Sequence, residues 1–291
     1  MRASRRVTVW LCAFYAAALG AETITINQSR PLGKLALDLQ QKYGYPVTYE
    51  EAPYDASALR TETRPNGSLY SSPGSVPIVF HVPDVAVGRA VSASADRVPF
   101  GLPDVVMPLV EEYNRSGNPG TFTVFFEGGY AHIVPAGRVV NGKVVAFQPI
   151  LSTAVSFTSK GHSCSDTLDA LLAQIEGVRG VSIVQAAVPI GALLRHECTV
   201  VVEDLPAREV LAGILDQLGT GTVRADPKPR YSWGLLYDSN IGKYFLSTML
   251  LPDLTDHSVA DSAQPAQDEP TPVVARPGSS RVAVPVAAPT K

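Results

Sequence analysis

The stretch TVVVEDLPAREVLAGILDQLG, Thr199–Gly219, decides the fold because it joins a strand directly to a helix. Its first four residues are β-branched, which favours a strand. Pro206 is tolerated in the first turn of a helix, where the amide has no partner to lose. The apolar residues that follow recur at helical spacing, and they are Val210, Leu211, Ile214, Leu215 and Leu218. Gly219 ends this pattern, so the stretch predicts a strand followed by an amphipathic helix.

The residues around this stretch complete a unit of two helices and five strands. The predicted strands are, in chain order, AVSFTS (154–159), GVSIVQAAV (180–188), ECTVVVED (197–204), RYSWGLLYD (230–238) and KYFLSTMLL (243–251). The other helix is predicted at 163–177, where Ser163 and Asp166 fit a capping box and Gly177 ends the helix. Its apolar face consists of Leu168, Leu171, Leu172 and Ile175. The predicted order is therefore β-α-β-β-α-β-β.

The first half of the chain repeats this order. The predicted strands are ETITIN (22–27), YPVTYEE (45–51), VPIVFHV (76–82), TFTVFFEGG (121–129) and YAHIVPAG (130–137). The predicted helices are PLGKLALDLQQKYG (31–44), closed by Gly44, and LPDVVMPLVEEYNRSG (102–117). Pro108 means that the second helix either starts at that residue or is kinked there. The apolar faces are Leu32, Leu35, Ala36, Leu39 and Tyr43 in the first helix and Val105, Val106, Leu109, Val110 and Tyr113 in the second.

These patterns predict an α+β fold of two tandem β-α-β-β-α-β-β modules, each with two helices packed on small sheets. The first module spans 21–150, with surface insertions near 55–75 and 84–103 that are rich in Ser, Pro and Gly. The second module spans 151–251, and a hairpin around Asn141 and Gly142 leads into it. We expect the four helix faces to be buried and the two halves to superpose apart from the insertions.

The modules resemble the secretin and TonB short N-terminal domain. The resemblance rests on Thr199–Gly219 in the second half and on PLGKLALDLQQKYGYPVTYE (31–50) in the first. It implies α+β modules in which two helices pack against small sheets, and a role in protein–protein contact within the bacterial envelope. It implies no catalytic residue. No pattern of a secretin pore domain or a receptor barrel follows, so we expect a free-standing pair of such modules rather than a channel.

The two ends of the chain differ from the part between them. Residues 1–20 combine three arginines with the apolar run VTVWLCAFYAAALG, which predicts a signal peptide cleaved after Gly20 or Ala21, with a short membrane anchor as the alternative. We therefore expect an exported protein, periplasmic or extracellular, with no membrane span after cleavage. Residues 252–291 contain no aromatic residue and are rich in Pro and Ala, which predicts a disordered tail.

The net charge indicates which class of partner to exclude, and the cysteine content indicates which side-chain bonds to expect. Cleavage removes three of the 24 Lys and Arg and leaves 27 Asp and Glu, a net charge of −6, which argues against nucleic acid. The mature chain keeps Cys164 and Cys198, and an even count in an exported protein predicts a disulfide. If the strands beside them pair antiparallel, the two sulfurs approach each other. A zinc site of His162, Cys164, His196 and Cys198, or two free thiols, are the alternatives.

Motifs for catalysis or cofactors are absent from the sequence, which has no G-x-S-x-G, H-E-x-x-H, P-loop or C-x-x-C. We therefore expect no cofactor and a non-enzymatic interaction module that docks to another envelope or secretion component. The alternatives are a structural spacer, or an enzyme or ligand-binding protein with a site between the modules or in the insertions. Glu127, His132 and the strand of Trp233 are the candidates for such a site. Tyr231, Trp233 and Tyr237 lie on one side of that strand, either in the core or as an exposed aromatic strip.

Overall fold

A computed structural model describes residues 22–26, 30–54, 59–63, 69–73, 78–82, 101–220 and 230–252. The predicted signal peptide, most of the insertion near 84–103, and the tail beyond residue 252 lie outside the described residues. Within the described residues, no helix has both the length and the apolar character needed to cross a membrane.

The described residues of the first half form eight strands and two helices. In chain order they are β1 (Glu22–Ile26), α1 (Pro31–Tyr43), β2 (Val47–Glu50), β3 (Leu59–Thr63), β4 (Leu69–Pro73), β5 (Ile78–Val82), α2 (Leu102–Arg115), β6 (Thr121–Glu127), β7 (Tyr130–Val140) and β8 (Lys143–Ala146). The hairpin of β3 and β4 occupies the first insertion. The turn between β7 and β8 lies at Asn141 and Gly142, as predicted, and both residues have positive φ.

The second half begins with a short 3₁₀ turn at Ile150–Ser152. The elements that follow are β9 (Ala154–Ser163), α3 (Cys164–Arg179), β10 (Ile183–Gln185), α4 (Ile190–Arg195), β11 (Glu197–Pro206), α5 (Ala207–Thr220), β12 (Tyr231–Asp238) and β13 (Lys243–Leu250). Apart from the β3–β4 hairpin, β8 and α4, both halves have the predicted order β-α-β-β-α-β-β. The α+β class is confirmed.

Strand pairing follows the same scheme in both halves. The antiparallel pair β1–β5 corresponds to β9–β11, and the antiparallel pair β6–β7 corresponds to β12–β13. The parallel pair β2–β7 corresponds to β10–β13. Apart from the β3–β4 hairpin and β8, the described strands of each half therefore form a two-stranded sheet and a three-stranded set.

The three-stranded sheets are not separate. β12 pairs with β2, which gives one sheet in the order β10-β13-β12-β2-β7-β6, with β8 beside β7. The expectation of two modules that each keep their own small sheets is therefore not confirmed, because strands from both halves share a single sheet. The reason is that β2 and β12 are edge strands of their halves, and pairing satisfies backbone groups that an edge leaves open.

The helices of the two halves cover opposite faces of this sheet. Tyr49 is opposite Gly234 and packs in the core with α1 and α2. Leu235 is opposite Glu50 and packs in the core with α3 and α5. Since neighbouring residues of a strand point to opposite faces, the two cores lie on the two sides of one sheet. All four predicted apolar helix faces are buried, which confirms their periodicity.

The limits of helices α3 and α5 differ from the predictions, and α2 does not start at Pro108. The helix α3 continues past Gly177 to Arg179, and Gly180 ends it in the left-handed conformation with φ 63°. The helix α2 starts at Leu102 and runs through Pro108, because its buried apolar face outweighs one missing backbone hydrogen bond. Pro206 is the last residue of β11 rather than part of the helix, and α5 extends to Thr220.

The antiparallel pairing of β9 and β11 brings Cys164 and Cys198 together. Cys198 is opposite His162, and the amide of Cys164 donates to the carbonyl of His196 at 2.8 Å. The two cysteines form a disulfide with a Cα–Cα distance of 4.7 Å, and both are fully buried. The bond links the start of α3 to the strand that leads into α5.

Replacing both cysteines by alanine should lower the free energy of unfolding by about 3–4 kcal/mol, because the bridge closes a loop of about 35 residues in the unfolded chain. Urea unfolding of the oxidised protein and of the double variant measures this difference. Equal stability of the two proteins would contradict the expectation.

Candidate functional site

The junction between the two halves is the part of the sheet where β12 lies beside β2. Gly234 pairs with Tyr49 and Leu235 with Glu50, in parallel. The amide of Glu51 donates to the carbonyl of Leu235 at 2.9 Å. This contact involves few backbone bonds, so the side chains around it decide how firmly the halves are joined.

Glu51 is one of two consecutive carboxylates at the end of β2, and it is fully buried. It accepts hydrogen bonds from Nε of Arg30 at 2.9 Å, from the hydroxyl of Tyr54 at 3.1 Å and from the amide of Tyr237 at 2.8 Å. Arg30 also donates to the carbonyl of Tyr237 at 2.6 Å. Burial raises the pKa of Glu51, and Arg30 opposes the rise. Through these contacts the first half holds the backbone of β12.

Glu50 points to the other face of the sheet, into the second half. It accepts a hydrogen bond from the amide of Leu151 at 3.1 Å and lies 3.4 Å from Nη2 of Arg208 at the start of α5. Burial raises the pKa of Glu50 to about 7, although Arg208 opposes the rise. Burial likewise lowers the pKa of Arg208. For both partners the loss of water therefore outweighs their attraction.

His132 lies next to this ion pair, on the same face of the sheet. Its Nδ1 is 2.8 Å from the hydroxyl oxygen of Thr48, and its ring packs against Phe125, Tyr130 and Trp233 at centroid distances of 4.9, 5.8 and 5.6 Å. Burial lowers the pKa of His132 to about 3, so the ring is neutral at ordinary pH. It acts as a packed polar group rather than as a proton carrier.

The sequence candidates for a catalytic or ligand site lie near one another in the structure but differ in exposure. His132 and Trp233 are in contact, but only 3% and 2% of their surfaces are exposed. Glu127 is exposed at the end of β6. The possibility of an exposed aromatic strip on β12 is wrong, because Tyr231 and Trp233 belong to the core under α5.

A shallow cavity of about 460 Å³ lies elsewhere, between β1 and α1. Its lining consists of Thr23, Ile24, Thr25, Asp38, Gln41 and Lys42. Neither Glu50 nor His132, whose pKa values burial shifts strongly, is among these lining residues. The perturbed groups are instead enclosed by protein contacts.

The disulfide rules out the alternative zinc site of His162, Cys164, His196 and Cys198. With their sulfurs bonded to each other, Cys164 and Cys198 offer no thiolate to a metal, and His162 lies exposed on β9. No group of three or more His, Cys, Asp or Glu residues suited to a metal occurs within the described ranges.

Sequence reasoning missed Arg30, Glu50, Glu51 and Arg208, the charged residues of the junction. The signal that points to them is YPVTYEE, in which two carboxylates follow directly on a strand of buried residues. Carboxylates in such a place need partners from another element.

A second feature of the sheet is the open edge of β6, which pairs only with β7 among the described strands. The side chain of Asn114 on α2 binds both the amide and the carbonyl of Phe122, at 2.9 and 2.8 Å. The backbone amide and carbonyl of Phe122 therefore point away from β7. By alternation the backbone groups of Val124 and Phe126 point the same way. Asn114 covers the start of the edge and leaves these two residues for another strand.

Comparison with known proteins gives no match to a family model, to a curated protein or to a solved structure.

Replacing Arg208 by methionine should destabilise the protein by about 3 kcal/mol near pH 8, because Glu50 is then an unpaired buried charge. The loss should be smaller near pH 5, where Glu50 is protonated, since its pKa in the folded state is about 7. Urea unfolding at both pH values measures the loss. Arg115→Met is the matched control, because Arg115 and Glu111 form an exposed ion pair. A greater loss near pH 5 would contradict the assignment.

The buried, neutral His132 should make the protein less stable in acid. Its contribution is fully present above its ordinary pKa of 6.5 and is lost as the pH falls towards about 3, because only the unfolded chain binds the proton. His132→Gln, which retains a polar partner for Thr48, should remove this loss, on the order of 3 kcal/mol. Thermal unfolding between these pH values tests it. The exposed His162→Gln is the control and should follow the wild-type profile.

Proposed function

We propose that this protein is an exported, non-enzymatic interaction module of the bacterial envelope. It docks another envelope or secretion component by strand addition at β6. The export signal predicted at 1–20, the disulfide, and the resemblance of both halves to the secretin and TonB short N-terminal domain support this proposal.

The observation that carries the proposal is the junction itself. There, the backbone of Leu235 on one edge strand is met by β2 as a parallel neighbour. Val124 on β6 occupies the corresponding place in the first half, and its backbone groups point away from the sheet. An added strand gains affinity from backbone hydrogen bonds and needs no special side chain on the partner. The edge of β6 therefore has the chemistry of a peptide-docking surface.

The burial of the perturbed groups supports docking over catalysis at the junction. A ligand or active site requires titratable groups that face a cavity. The carboxylate of Glu50 instead binds the amide of Leu151 and lies next to Arg208, and Nδ1 of His132 is hydrogen-bonded to Thr48. Their role in this proposal is to hold the two halves in one rigid sheet.

Val124→Pro should abolish capture of the partner from an envelope extract, because proline removes the outward amide of β6 without breaking the bonds to β7. Val124→Thr retains the amide and has a similar shape, so it should capture the same protein as wild type. Quantitative mass spectrometry of the captured material, after circular dichroism has shown that both variants are folded, makes the comparison.

Equal capture by Val124→Pro and Val124→Thr would remove β6 as the docking site. No captured protein at all, together with turnover of a small substrate by the purified chain, would replace docking by the enzyme alternative. A chain that ends at residue 252 should still bind its partner, whereas a spacer would fail without the segment that follows.

A further inference from the structure

We infer that the strand added to β6 is β10 of a second copy of this chain. The inference rests on the proposed function, in which β6 accepts an added strand. Within an assembly a second copy supplies that strand, and the β6 edge of the last copy remains for the envelope component. The inference follows from the repeat, because the molecule already contains this contact once, as the junction of β12 with β2. A second copy would make the same contact between the two outer strands of the sheet, β6 of one molecule and β10 of the other.

The strand registers identify the corresponding positions. In the parallel pairs, Val47 faces Ala131 in the first half and Ile183 faces Tyr244 in the second. The amides of Ala131 and Tyr244 also make matching bonds to the residue before each strand, at 2.9 and 2.8 Å. Counting along β2 and β10 from this match, Tyr49 corresponds to Gln185.

The other two strands are matched in the same way. Phe126 faces Ala131 as Tyr237 faces Tyr244. Counting along β6 and β12, Val124 therefore corresponds to Leu235. The junction pairs Gly234 with Tyr49, so the copied contact pairs Thr123 with Gln185 of the second molecule.

Among the described strands, β10 pairs only with β13, and its outer edge carries the backbone groups of Gln185. The carbonyl of Ser182 and the amide of Ala186 are bonded to Tyr244 and Leu246 of β13. Alternation along the strand turns the backbone of Ile183 and Gln185 to the open side. A side-chain oxygen of Glu176 accepts a hydrogen bond from the amide of Ile183. The backbone of Gln185 is therefore the part of this edge that faces β6 of the second molecule.

Helix α5 crosses the junction and contacts the first half. Its contacts indicate which side chains meet in the copied contact between two molecules. The hydroxyl of Tyr130, in the first half, lies 3.4 Å from Asp216 of α5. Matching the buried faces of α2 and α5 puts Glu111 in the place of Asp216. Matching β7 and β13 puts Lys243 in the place of Tyr130. Both replacements are exposed, and they carry opposite charges. The copied contact therefore contains an ion pair.

The buried ion pair of the junction is replaced by neutral residues. Pro103 stands in the place of Arg208, and Ala186 in the place of Glu50. Both changes occur together, so the copied contact buries neither a lone arginine nor a lone glutamate. The contact is correspondingly weaker than the junction, because it lacks the partners that hold the two halves.

The polar contact beneath α5 also becomes apolar. The positions of Thr48 and His132 are occupied by Val184 and Phe245, which are partly exposed on the face of the sheet that α3 and α5 leave open. Met107 of α2 lies one turn before Glu111 and is 47% exposed. In the copied contact, α2 of one molecule covers these two side chains of the next. Met107 of one molecule and Val184 and Phe245 of the next, which are at least partly exposed in the single molecule, are thus buried against each other in the contact.

The assembly that results is open-ended. Each added molecule brings a free β6 edge of its own, and a head-to-tail contact that does not close continues as a filament. The continuous sheet has six strands along its path in each molecule, so each copy advances the filament by about 29 Å at about 4.8 Å per strand.

Sedimentation velocity of the purified protein tests the inference. The wild type should associate without a limiting size, with a Kd on the order of 100 µM, as expected of a small contact. Val124→Pro lacks the acceptor edge and Gln185→Pro the donor edge, so each should be monomeric alone. Their equimolar mixture should stop at a dimer, because each variant retains the edge that the other lacks. Val124→Thr and Gln185→Val retain their amides and should associate like wild type.

Three results would overturn the inference. They are a wild type that stays monomeric up to about 1 mM, an unchanged association of Gln185→Pro, and a mixture of the two proline variants that stays monomeric. The second result would mean that copies pair through β6 alone. A monomeric wild type that still captures an envelope protein through β6 would lose this inference and keep the proposed function.

A charge exchange tests the same contact without changing the backbone. Glu111→Lys and Lys243→Glu should each weaken association by about 5-fold, and the double variant should restore it. The residues are exposed, so the variants should fold like wild type. Failure of the double variant to recover association would contradict the predicted ion pair.

Discussion

The parallel pairing of β12 with β2 is the contact on which the arrangement of the molecule depends. It places two carboxylates at the end of β2 between the halves, where water is excluded. Because neighbouring side chains point to opposite faces, Glu51 binds Arg30 and the backbone of Tyr237, whereas Glu50 binds Arg208 and the linker turn. Each face of the sheet thus has its own polar attachment, and neither half can turn about β2 without losing one of them.

The position of the helices follows from the same pairing. In each half the helices pack on the equivalent face, but β12 approaches β2 with its half turned over. The cores therefore lie on opposite sides, and α5 reaches across to the open side of the first half. This explains why His132 and Thr48, which no described helix of their own half covers, are buried beside Trp233 and Arg208.

Local periodicity predicted much of the fold. The four helix faces, the order of the elements and the approach of Cys164 to Cys198 all depend on short stretches of sequence. The joining of the sheets did not follow from such patterns, because a strand carries no local mark of the neighbour that it accepts at its edge. The roles of Glu50 and Glu51 were missed for the same reason. A carboxylate after a strand and an aromatic residue within one become specific only when the facing element is known.

Because the chain is synthesised from its N-terminus, β2 is made long before β12, the strand with which it pairs. Ser232, on β12, donates a hydrogen bond to the carbonyl of Val47, which lies 185 residues earlier. Contacts of such long range form late, since a large loop must close before they contribute. During synthesis the first half therefore carries an open edge, with Glu50 unpaired and Glu51 without the amide of Tyr237, until nearly all of the globular part has appeared. Those charges discourage association with other nascent chains in this interval and become structural only when the last hairpin arrives.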